Sequence, residues 1–180
     1  VRALTDALTG VPSIVVGIFA YAVVVRPMGH FSGWAGSFAL AVLMLPLVVR
    51  TTEEMVRLVP HSIREASLAL GIPLWRTVLR VVLPAAWPGI LTGVLLALAR
   101  VAGETAPLLF TVLGNNYWHR SFNEPIAALP LQIYAYAKSP YEEWHRQAWG
   151  AALVLVALVL LTSILARLAT SRRVGRGVRR

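Results

Sequence analysis

The chain has no cysteine, so disulfide frameworks, thiol nucleophiles and cysteine-held metals are excluded. Charge is also scarce: only 14% of the 180 residues carry one, well below the roughly 25% usual in soluble domains. Acidic side chains are the scarcest, with 8 Asp and Glu against 17 Lys and Arg. No GxxxxGK(S/T) string occurs, which excludes the phosphate loop of nucleotide-hydrolysing domains, and no HExxH string offers a helical zinc site. The opening VRALTDALTG lacks a basic region followed by an apolar core, so no signal peptide is expected there.

Apolar residues make up most of what is present. They account for 57% of the chain and the mean hydropathy is +0.67, a composition suited to the bilayer as solvent. The net charge of +9 sits at the ends of apolar runs and in the tail from Arg167 to Arg180. That distribution fits the positive-inside rule and not a basic face for nucleic acid, so membrane lipid is an expected partner and nucleic acid is not.

Four stretches, at approximately 8–25, 31–49, 89–113 and 149–166, approach the about 20 helical residues needed to cross a hydrocarbon core. The first contains Pro12 and Gly17, which blur its limits. The last includes AALVLVALVLL and lacks the polar period of a soluble-bundle helix. Arg172, Arg173, Arg176, Arg179 and Arg180 follow the last span, and Arg50, Arg57, Arg64, Arg76 and Arg80 fill the connection between the second and third. Both groups belong in the cytoplasm, which makes both termini cytoplasmic and places 114–148 outside. That outer segment carries Tyr117, Trp118, Trp144 and Trp149, amphipathic rings suited to the headgroup level, with Arg120, Lys138 and Arg146 as exceptions to the charge rule. The expected fold class is all-α: a polytopic membrane helix bundle forming one domain over residues 1–170, with a basic tail at 171–180.

The cytoplasmic connection, about 57–84, reads as two short helices around one glycine. The first opens near Pro60, a residue favoured in an initial turn, and runs through HSIREASLAL. Gly71 supplies a positive φ to end it, and Pro73 blocks continuation. A second helix, PLWRTVLRVVL, places Arg76 and Arg80 on one face. Pro84 and Pro88 are expected to break the chain before the third span, leaving a compact knob.

The third span is expensive. Arg100 and Glu104 fall near its middle, where each charge costs about 2.5–3.5 kcal/mol on insertion scales. In a continuous helix Gly89, Gly93, Ala97, Arg100, Glu104, Pro107 and Thr111 share an arc of about 80°. Small residues on that face permit close approach of another helix, while the charges must face protein or a watery cavity. Pro107 cannot donate to the Gly103 carbonyl, so the helix can open there. Arg100 offers a forked donor set that fits an oxyanion, and Glu104 can hold it in place when no anion is bound. A structural Arg100–Glu104 pair that merely fixes packing is the competing reading.

EASLALGIPLWRTVLRVVLP resembles the EAA motif of ABC importer permeases: Glu65, Ala66, Gly71, Val81, Leu83 and Pro84 match its positions, and Ser67 replaces the second alanine. VPSIVVG at 11–17 and LARVAGETAPLL at 98–109 narrow the resemblance to the PstA-type permease family of the phosphate-specific ABC importer. The resemblance implies the MetI-like, type I importer fold, in which this chain supplies four spans corresponding to the last four of the family's six. It implies ATPase coupling through Glu65, Ala66, Ser67, Gly71, Leu83 and Pro84; the substrate pathway read from the third span is expected at Arg100, Glu104, Thr105 and Pro107. It also implies a PstC-type permease, two ATPase subunits, an external phosphate-binding protein and phosphate as partners, in a bacterial cytoplasmic membrane. No cofactor is expected on this chain, ATP and Mg belonging to the ATPase, and the chain is expected to be a transport subunit and not an enzyme.

Three alternatives stand beside this. The EAA loop is shared by importers of sulfate, molybdate and organic solutes, so another oxyanion or small solute is possible. An intramembrane enzyme could use Glu104 with His119 or His145, though these histidines are more simply interfacial. A membrane subunit that never conducts is the third. Asn115 and Asn116 could receive substrate at the outer mouth, but after Gly114 they are more simply a turn.

Overall fold

The computed structural model describes residues 2–117 and 120–177. Trp118, His119, Arg179 and Arg180 lie outside the described residues, as do the side chains of Arg172, Arg173 and Arg176. Among the described residues the chain is all-helical. The elements are α1 (Arg2–Thr9), α2 (Ser13–Met28), α3 (Gly33–Arg57), α4 (His61–Ala69), α5 (Leu74–Val101), α6 (Ala106–Thr111), α7 (Leu129–Ala137) and α8 (Glu142–Gly177). Three helical segments, Gly33–Arg57, Leu74–Val101 and Glu142–Ile164, are long and apolar enough to cross a membrane, and Ser13–Met28 is shorter.

The helices have other limits than the expected spans. The first, expected at 8–25, is split by a turn at 10–12, where Gly10 and Val11 donate to the carbonyls of Ala7 and Leu8. The second runs past Val49 to Arg57, because Arg50–Glu54 and Glu53–Arg57 pairs at 3.2 and 2.7 Å keep its polar end helical. The fourth begins at Glu142, seven residues before the expected start at Trp149, with Glu142 and Glu143 favourable in its first turn.

The third span departs furthest. Pro84 and Pro88 do not interrupt the chain: the second arm of the knob and the membrane helix are one element, α5. A π-helical turn at Val78–Val82 makes this possible. There the Leu83 N–H reaches back to the Val78 carbonyl, widening the helix just before the Pro84 ring must enter it. The same device recurs in α2, where a π-helical turn at Tyr21–Val25 ends with Arg26 N–H bonded to the Tyr21 carbonyl, directly before Pro27. At its other end α5 stops at Val101, and residues 102–105 form turns before α6. The expected single helix over 89–113 is therefore two, because Gly103 favours the break and Pro107 withholds an N–H from it.

Helices α3 and α5 form the main packed pair. Gly89 and Gly93 face Met55 and Thr51 of α3, and Ala97 is fully buried, so the small-residue stripe does seat a helix. One apolar cluster, Val59, Val82, Ala86 and Ile90, lies at the knob end. Another, Leu108, Val112 and Leu131, has Leu40 of α3 and Ile126 and Ala128 of the connection before α7 packed against it.

The start of α3 is fastened by residues 122–124 of the same connection. Gly29 ends α2 at φ +74°, and Ser32 caps α3 by accepting from the Ala35 N–H at 3.2 Å. Gly33 and Trp34 donate to the carbonyls of Glu124 and Phe122, so donors orphaned by helix geometry are satisfied from outside the helix. Ser32→Ala is expected to cost about 1 kcal/mol, read by thermal unfolding of the detergent-purified protein.

Candidate functional site

The two helix breaks meet. A cavity of about 240 Å³ is lined by Leu8, Thr9, Val11, Pro12 and Ser13 from the first break and by Arg100, Val101 and Glu104 from the second, with Leu43 and Leu47 of α3 closing it. Irregular backbone at membrane depth is tolerated where it lines such a cavity. The cavity brings together a guanidinium, a carboxylate and the N-terminal end of α2, whose partial positive charge favours an anion. Among the described residues no ion pair joins Arg100 to Glu104, so the structure does not show the pair that would only fix packing.

Arg100 is the penultimate residue of α5, and Glu104 sits in the break with its N–H bonded to the Val101 carbonyl at 3.1 Å. They share a cavity and not the continuous helical face expected of them. Thr105 precedes α6 as its N-cap. Pro107 is fully buried against α2, where a Cβ added to Gly17 would lie 2.7 Å from the Pro107 Cα. Neither Thr105 nor Pro107 lines the cavity; Pro107 is where α2 and α6 cross. Sequence reasoning missed Thr9, Ser13, Leu43 and Leu47, although the Gly10–Pro12 breaker was a signal for the first two.

The knob has a defined interior. Gly71 adopts φ +75°, as expected, with its N–H on the Leu68 carbonyl at 2.9 Å. Glu65 and Ala66 are exposed, Leu83 packs on the Val59–Ile90 cluster and Pro84 is exposed. Ser67 is buried and its hydroxyl lies 2.9 Å from that of Thr77. Arg64 donates to the Val56 carbonyl at 2.6 Å, tying α4 to the end of α3. Around these, Leu70 and Trp75 stand 80% and 61% exposed, with Leu68, Leu74 and Leu79 beside them. An apolar crown of this kind on a charged connection marks an interaction site.

Elsewhere the alternatives fare differently. His145 lines a separate cavity with Ile133 and Trp149, its Nε2 2.7 Å from the Ser139 carbonyl oxygen, and does not meet Glu104. Asn115 is a turn residue, accepting from the Tyr117 N–H and donating to the Pro125 carbonyl. Both it and Asn116 border a wider cavity of about 460 Å³ with Gln132, Tyr134 and Lys138.

Residues 1–175 match the family described as binding-protein-dependent transport system inner membrane component. The chain belongs to that family. Its membership accounts for apolar helices joined by a structured polar connection, and makes the chain a membrane transport subunit and not an enzyme. Among curated relatives it is 53% identical over 172 residues to the phosphate transport system permease protein PstA of Yersinia pestis, covering 96% of this chain and 58% of the relative. It is 54% identical over 168 residues to the protein of that name from Xylella fastidiosa, with 93% and 58% covered. For the Haemophilus influenzae protein the values are 52% over 167 residues, with 93% and 59% covered. The chain thus spans less than two thirds of the length of these relatives. Among solved structures, the inward-facing MetNI methionine ABC transporter matches with a TM-score of 0.71 at 21% identity, covering 99% of this chain and 74% of that one. That likeness shows the fold: this family member is a MetI-like membrane helix bundle.

Proposed function

We propose that this chain is a permease subunit of an ATP-driven importer and that it passes inorganic phosphate through the cavity at its two helix breaks. The observation that carries the reading is the convergence of Arg100, Glu104 and the α2 N-terminus on one cavity. A tetrahedral oxyanion matches the forked donors of Arg100, and the helix end adds positive potential without a second fixed charge. Glu104 limits how tightly the anion is held, which a pathway needs so that cargo leaves. The PstA names of the relatives support phosphate as cargo.

The knob serves as the contact for a separate ATPase subunit, two copies of which act in the complete transporter, together with a PstC-type permease and an external phosphate-binding protein. ATP and Mg are used on the ATPase, and this chain needs no cofactor of its own. The knob and both termini face the cytoplasm in the bacterial inner membrane, as the arginine distribution demands. Residues 1–170 act as one transmembrane domain followed by the basic tail.

The test is ATP-driven uptake by the reconstituted complex with phosphate, sulfate or molybdate as the only oxyanion. Phosphate-dependent uptake with no transport of the other two is expected; equal uptake of sulfate would overturn the cargo assignment. Gly71→Val tests the knob. Its Cβ meets nothing within 4 Å, so the cost is backbone strain of about 1–3 kcal/mol at a left-handed position. The protein is expected to remain folded while cargo-stimulated ATP hydrolysis and uptake fall together by about tenfold.

A further inference from the structure

We propose that Ser67 and Thr77 form a hydroxyl clamp that makes the two arms of the knob move as one body, and that Thr77 is therefore a positioning residue for coupling. This rests on the coupling role proposed above. Ser67 lies on α4 and Thr77 in the first turns of α5, ten residues apart across Gly71, with their oxygens 2.9 Å from each other. They are only 6% and 1% exposed, so each hydroxyl depends on the other once water is excluded. Alanine, the residue of the resembling motif at position 67, cannot make this bond.

Within the turn it spans, the Gly71 N–H on the Leu68 carbonyl at 2.9 Å is the one short backbone bond, and it closes the end of α4 without reaching α5. No atom lies within 4 Å of where a Gly71 Cβ would stand, Leu70 is 80% exposed, and the Ile72 N–H reaches the Ser67 carbonyl only at 3.4 Å. Among the described residues the buried pair is the side-chain hydrogen bond that joins α4 to the start of α5. One turn earlier, Arg64 fixes α4 to the Val56 carbonyl of α3. A displacement applied at Leu70, Leu74 and Trp75 then passes through Ser67 and Thr77 into α5, the helix that carries Arg100, instead of flexing at Gly71.

The test uses the assembled importer with the double variant Ser67→Ala/Thr77→Val, which removes both polar groups while nearly keeping their volume. Replacing both partners this way is close to neutral for folding. ATP hydrolysis is expected to continue while phosphate taken up per ATP falls about fivefold, with amide exchange at Gly71 and Ile72 about fivefold faster, the factor that one lost hydrogen bond sets. Thr77→Ser keeps the hydroxyl and is expected to behave as the unaltered protein. The clamp is overturned if the double variant keeps the unaltered uptake ratio and exchange rates, or if Thr77→Ser loses uptake per ATP as the double variant does. Absence of phosphate uptake by the unaltered complex would instead overturn the functional reading, and the exchange rates alone would then decide the clamp.

Discussion

Arg100→Gln is expected to leave the complex assembled and to reduce phosphate uptake by about 100-fold, the upper range for losing a charged, forked hydrogen-bond donor. Arg100 lines the cavity formed by both helix breaks and has no ion pair among the described residues. Its removal therefore strips the site of fixed positive charge without orphaning a buried partner. Arg100→Lys restores charge but not the planar fork, so uptake is expected to recover only in part. The measurement is ATP-driven uptake in proteoliposomes alongside assembly by size-exclusion chromatography. Unaltered uptake by the Gln variant would remove Arg100 from the pathway.

Gly17→Val is expected to have the largest effect on stability. A Cβ there would lie 2.7 Å from the Pro107 Cα and 3.4 Å from the Ala106 carbonyl oxygen, so the obstruction is backbone and cannot rotate away. Helices α2 and α6 must separate or the variant must strain, at a cost of about 1–3 kcal/mol or more. Lowered melting temperature and loss of uptake are expected together, because α2 and α6 each begin directly after one of the two breaks that meet at the cavity. Gly150→Ala is the control: nothing lies within 4 Å of its added Cβ, and no loss of stability is expected. Equal melting behaviour for the two variants would mean that the Gly17–Pro107 crossing does not hold the site together.

Much of this was legible because the physics is local. Left-handed φ at Gly71 followed from a glycine ahead of Pro73, and the small stripe at Gly89, Gly93 and Ala97 followed from the period of one helix. The fate of the prolines was not legible. Pro84 reads as a breaker from sequence, yet a π-helical turn five residues long absorbs it, and nothing in the hydrophobic pattern signals a shift of hydrogen-bond register. Arg100 and Glu104 were singled out for their cost in lipid, which is a property of each residue alone. Their continuous helical face was wrong because a helical wheel assumes unbroken geometry, and the chain turns at 102–105.

The sequence by itself determined the solvent, the helical class, the glycine-hinged knob and the charged residues of the third span, since hydropathy, backbone permissiveness and desolvation act residue by residue. Only the tertiary structure decided that the breaks at 10–12 and 102–105 face one cavity, that Pro107 packs against Gly17 and does not line that cavity, and that Ser67 meets Thr77. Each of these depends on where a distant segment comes to rest, and close packing between segments leaves no trace in the periodicity of either one.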